Sequence, residues 1–341
     1  MQGGGKQCRC SKRLEKHAGA GAIGDMASKL TGWIPDPQGV EDFLNDAATA
    51  HPLFGLCADD LMGDPDQPCM LLHKALLSLQ PDWKRGRQGI GDCVSWGWEL
   101  ACSILSAVDI VHRREPESWQ GCFATEPIYG GSRVEARKIK RAGWNDGAYG
   151  GAAAKWVRDW GVIPRKNYSQ RTNNSEHNLT RYSSKKAKQW GNYGCGGKHD
   201  KGRLDSIARE HPVETVSLVT SFDEAKAAIA NGYPVPVCSS QGFRPKRDGD
   251  GFCGPKGTWS HCMVFHGLRT EGRHGLLITN SWGRSVSGPM WPDDTPDSIG
   301  ACSWWVDADV VDRMLRRKDS YAISGYDGFK RRELKWDAGW L

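Results

Sequence analysis

No run of ~18 uninterrupted apolar residues, the length a membrane-spanning helix needs, occurs in these 341 residues. The start, MQGGGKQCRCSKRLEKH, is basic but lacks the apolar core of a secretory signal, and Gln2 stands where N-myristoylation requires glycine. A soluble chain with no membrane association is expected, cytoplasmic or virion-associated. Charge of one sign is scarce too. Forty-six Lys and Arg against 40 Asp and Glu leave +6, too dilute for specific nucleic-acid binding, and no RNA-binding sheet signature or basic zipper accompanies it. Twelve cysteines are about 3.5% of the chain, well below the ~8–10% of a disulfide scaffold, so most are expected as reduced thiols. No repeat of 20–50 residues appears. Cys8, Cys10 and His17 lack a fourth ligand at any common zinc spacing, and Cys195 with His199 has no partners, so neither metal nor cofactor is expected.

What is there is an ordinary globular composition, 38% apolar and 25% charged. Residues 1–75 read as an N-terminal extension (arm, pro-segment or docking region), basic over 1–30 and then with short helical patches at Val40–Ala47 and Met70–Leu79. From Cys93 onward, Val94, Trp98, Ala101, Leu105, Val108 and Val111 recur at three- and four-residue steps, one stripe of a long helix with Asp92 as its N-cap. A second helix fits Ala152–Trp160, closed by Gly161 and Pro164, within a helical region of 76–165. Residues 166–210 turn polar and basic and read as a solvated insertion. A third helix carries a capping box, Ser221 with Glu224. Strand patterns then take over within 211–341, at Pro234–Ser239, Trp259–Leu268, Gly275–Thr279 and Ser303–Val306. Helices first and strands second predict an α+β fold.

The chemistry-bearing residues fall at the ends of these elements. Pairing the strands so that His261 faces Asn280 places the turn at Arg269–Gly272, where the amide can orient the imidazole. Cys93 at a helix N-terminus meets free backbone N–H groups, which favour thiolate, as does a nearby imidazolium. Gln88, five residues earlier, offers a side-chain donor for an oxyanion. Nucleophile, imidazole, orienting amide and oxyanion donor suffice for acyl transfer through a thioester. On the opposite strand face, Cys262 and His266 are expected to be structural.

Gln88-Gly-Ile-Gly-Asp-Cys93, Ser260-His261-Cys262-Met263 and Leu277-Ile278-Thr279-Asn280-Ser281-Trp282-Gly283 together resemble the papain-like cysteine proteases, as does Gly147-Ala-Tyr-Gly-Gly151. The resemblance covers about 80–315, in the family's order, and is that of a divergent bacterial or phage-type member. It departs from the family in the short Gln88–Cys93 spacing, in Val94 after the nucleophile, in the absence of a disulfide near Gly91 and Ala148, and in Val286-Ser287. It implies a two-lobe α+β fold, helical lobe against antiparallel β-rich lobe with the cleft between, and a peptidase acting on peptide or protein substrates. Cys93 would be nucleophile, His261 acid/base, Asn280 its orienter and Gln88 the oxyanion donor. Trp282 would shield the His–Asn bond, and Gly150 and Gly151 would pair with the substrate backbone. The alternative is a protease-fold structural or binding protein, for example a phage virion component, docking partners through its N- and C-terminal segments (Tyr326–Leu341).

Overall fold

The computed structural model describes residues 30–57, 61, 68–113, 118–138, 145–199, 202–332 and 334. Cys8, Cys10 and His17, and half of the C-terminal segment Tyr326–Leu341, lie outside the described residues. Helix α1 (Pro37–Leu44) starts where the sequence dictates: Pro37 needs no N–H partner at the first turn, and the Asp36 carboxylate accepts from Gly39 N at 3.2 Å. Met70 and Leu71, expected to open a helix, belong instead to strand β1 (Cys69–Leu71), and the helix that follows, α2, is confined to His73–Leu79.

Helix α3 (Cys93–Arg113) is the core of the helical lobe. Val94, Trp98, Ala101, Leu105 and Val108 are all buried along its apolar stripe. It is long and apolar enough to cross a membrane, but 83% of that window is buried inside the fold, which is how a soluble core helix satisfies the same test. Around it lie α4 (Thr125–Gly131), which continues as a π-helical turn at Ser132–Ala136, and α5 (Gly150–Asp159). Next, α6 (Ser184–Tyr193) belongs to the segment expected to be solvated. That segment is packed: His177, Leu179, Ala187 and Trp190 are fully buried.

The second half carries β2 (Thr215–Leu218), α7 (Phe222–Ala230), β3 (Val235–Phe243), β4 (Pro255–Arg269), β5 (Gly275–Thr279), β6 (Ser303–Asp307), α8 (Ala308–Leu315) and β7 (Tyr321–Ser324). Ser221 Oγ caps α7 by accepting from Glu224 N at 3.2 Å, and Gly232 closes it at φ 85°. The 15-residue β4 organises a five-stranded antiparallel sheet, pairing with β3, β5 and β1, while β6 lies outside β5. A separate antiparallel pair joins β2 to β7.

The β4–β5 register differs from the expected one. Val264 faces Thr279 and Arg269 faces Gly275, with an irregularity between Phe265 and Gly267. Arg269 stays in the strand because it pairs with both Gly275 and Cys69, so the turn moves to Thr270–His274. One more step of this register sets Asn280 opposite Met263. His261 is then its diagonal neighbour on the same face, still within side-chain reach.

Candidate active site

His261 and Asn280 do meet. His261 Nε2 and Asn280 Oδ1 are 2.7 Å apart, and Asn280 Oδ1 also accepts from Ser281 N at 2.6 Å. The Trp282 ring lies 4.6 Å from the imidazole, tilted by 40°, and both side chains are buried. Water is thereby kept from the His–Asn contact. The other ring nitrogen, His261 Nδ1, makes no hydrogen bond among the described residues. Cys93 opens α3 and is fully buried, with the Cys262 and Gly32 backbone N–H groups toward its sulfur. Cys262, placed by strand alternation on the far face from His261, therefore lies beside Cys93.

Leu30–Ile34 crosses from the loop before Cys93 to Ser260 of β4 as a strap. Gly32 N and Trp33 N both donate to Ser260 O at 3.0 Å, Ala148 N donates to Gly32 O at 2.8 Å, and Ile34 N donates to Ala148 O at 2.9 Å. Gln88 Nε2 reaches into the cleft and donates to Leu30 O at 2.7 Å and to Ile90 O at 2.8 Å, while its Oε1 accepts from Ser281 Oγ. Gly32 is pressed so closely on the nucleophile loop that a Cβ there would lie 1.8 Å from Gly91 O. Only glycine fits this crossing.

The backbone that pairs with a strand in the cleft is thus Ala148, in a parallel bridge with Trp33. Gly150 and Gly151, expected in that role, open α5 and are buried. Their N–H and C=O groups belong to a helix terminus and are not presented as a strand edge.

Burial sets the electrostatics. It pushes the Cys93 thiol well up, against the helix terminus that would favour thiolate, and pushes His261 down to about 4 despite its bond to Asn280. Burial thus favours the neutral thiol and the neutral imidazole over the expected thiolate and imidazolium, and His261 Nδ1 makes no hydrogen bond to Cys93 among the described residues. Asp92, expected as a helix cap, turns its carboxylate to the Tyr182 hydroxyl at 2.9 Å, and burial raises it to about 8. Tyr182 also accepts from Gly89 N, tying the 166–210 segment to the nucleophile loop.

Two further residues escaped the sequence reading. Arg85 donates to Asn280 O at 3.3 Å and to Trp96 O at 2.8 Å, and pairs with Glu99 at 2.9 Å, all in the interior. The signal was Glu99, a carboxylate within the buried part of α3 that demands a partner.

No protein-family model and no curated protein matches the chain. Solved structures do. Xylellain, a cysteine protease from Xylella fastidiosa, matches at TM-score 0.52 and 16% identity over 88% of this chain and 97% of its own. Procathepsin L2 from the larval midgut of Tenebrio molitor matches at TM-score 0.52 and 12% identity, over 88% and 79%. The fold is that of the papain-like cysteine proteases. The ragweed pollen protease Amb a 11, in its proform, agrees with the papain-like assignment at TM-score 0.50 and 13% identity, over 87% of this chain and 77% of its own. Within this fold α3 packs against β4, and the strap bonds to β4 at Ser260 and presses on the loop before α3 at Gly91. Among the described residues no group of three or more His, Cys, Asp or Glu is placed to hold a metal ion.

Proposed function

We propose that this chain is a cysteine peptidase in a latent form, its cleft closed by Leu30–Ile34. The observation that carries the reading is the His261–Asn280 contact under Trp282, beside a nucleophile loop across which a peptide segment already lies. Once the strap leaves, water reaches Cys93 and His261. The penalty that keeps both neutral is then relieved, and the head of α3 favours the thiolate. Cys93 Sγ attacks the peptide carbonyl to form a thioester. His261 passes its proton to the leaving amine and then activates water for deacylation, held in orientation by Asn280. Gln88, freed from Leu30 O, donates to the developing oxyanion. Two of the similar structures are themselves proforms, which supports latency.

The test is hydrolysis of fluorogenic peptides by a strap-weakened variant, Gly32→Ala, with acyl-enzyme sought as a mass gain on Cys93. Cleavage lost in Cys93→Ala and His261→Ala is the expected result. No cleavage and no adduct, from a variant whose Cys93 alkylates readily, would refute it. A second reading, a protein of the same fold whose cleft never opens, is favoured by one observation: Gln88 already spends its amide on Leu30 and Ile90. It predicts that Cys93 stays unreactive in every strap variant.

A further inference from the structure

Asp319 lies just before β7 and is 2% exposed. Its carboxylate has three hydrogen-bond donors, all neutral. Trp33 Nε1 and Gly150 N donate to Oδ2 at 2.7 and 3.2 Å, and the Tyr321 hydroxyl donates to Oδ1 at 3.0 Å. No Lys, Arg or His pairs with it among the described residues. Gly150 is required here, because a Cβ would lie 2.3 Å from Asp319 Oδ1. Trp33 is itself buried, 4% exposed, and is the strap residue bridged to Ala148, one position beyond Gly32. Its indole therefore covers the buried carboxylate and supplies one of its three donors. When the strap leaves, the indole leaves with it, and the carboxylate loses a donor.

We propose that Asp319 is the floor of a specificity pocket that takes the cationic side chain, arginine or lysine, of the peptide residue lying against Ala148. An apolar side chain would leave the carboxylate buried and short of a donor, the costly arrangement. A guanidinium replaces the indole N–H and adds opposite charge. The proposal rests on the peptidase reading for its substrate, but the pocket can be tested without turnover.

In the full chain, Trp33→Arg places a cation on Asp319 and Trp33→Met does not. Trp33→Arg should melt above Trp33→Met, and the order should vanish in an Asp319→Asn background. If Asp319→Asn does not fold, the Trp33 pair in the wild-type background decides alone. For turnover, peptides differing only by Arg or Leu at one position are compared in the Gly32→Ala background. The Arg peptide should be cut at least tenfold faster, and Asp319→Asn should erase that ratio. Equal melting of the two Trp33 variants, or an Arg-to-Leu ratio indifferent to Asp319, overturns the pocket. Melting in the expected order with no peptide cut leaves the pocket standing and removes the peptidase reading. Cleavage without the Arg preference does the reverse.

Discussion

Gly32→Ala puts a methyl group where no space exists. The added Cβ falls 1.8 Å from Gly91 O and 2.4 Å from the Gly91 carbonyl carbon, backbone atoms that cannot swing aside. Forced overpacking of this kind costs about 1–3 kcal/mol. The strap's alternative is to lift away, so that cost shifts the closed-to-open equilibrium by roughly 5–150-fold. Cys93 is fully buried under the strap and reacts only from the open form. Its alkylation by iodoacetamide at pH 7, read by peptide mass mapping, should accelerate by the same factor. Gly249→Ala, where an added Cβ meets nothing within 4 Å, is the control and should change nothing. If Gly32→Ala folds and its Cys93 labels no faster than in the control, the strap does not gate the nucleophile.

Three other outcomes follow from the buried charges. Arg85→Met strands Glu99 in the interior and should cost about 3–5 kcal/mol in denaturant unfolding. Arg85→Met with Glu99→Leu should recover much of the loss, and no recovery would mean that the ion pair is not the cause. Asp92 stays protonated to about pH 8 in the fold but ionises near pH 4 when unfolded, so it withdraws stability progressively as pH rises from about 4 to 8. Asp92→Asn should thus raise the melting temperature more at pH 9 than at pH 5, and an equal rise at both would refute the assignment. His73, His261 and His266 are buried with depressed pKa values, so the unfolded chain takes up their protons first as pH falls below about 6.5. Asp92 and Asp319, raised by burial, pull the other way with one proton fewer. Stability should therefore fall as pH drops from about 6 to 4. A flat or rising profile in urea unfolding would contradict this balance.

The stripe on α3, the cap at Ser221 and the strands bearing His261 and Asn280 were legible because each is a local pattern with a fixed period. The His261–Asn280 meeting was legible as well, but for an inexact reason. The assumed register was off, and the two side chains meet across a diagonal. The helix assigned to Met70 failed because pairing of Cys69–Leu71 with the end of β4 overrode local preference. Gly150 and Gly151 drew attention as a pair, while the strand-pairing backbone fell at Ala148, a residue with no distinctive side chain. The strap and Asp319 were not legible at all. Their partners lie 286 residues apart in the chain, as Trp33 and Asp319 show, and no periodicity links them. Nor does composition announce that a thiol at a helix head will be dehydrated by a segment some sixty residues upstream.

That the strap and the nucleophile share one chain has a kinetic meaning. A tethered segment meets its own cleft at an effective concentration set by the chain between them, on the order of millimolar for short flexible tethers. Dilution cannot lower that value, and crowding cannot raise it. On the peptidase reading, latency would therefore be the same in one molecule as in a concentrated solution. A free peptide that displaces the strap must compete against this local concentration as well as against the strap's hydrogen bonds.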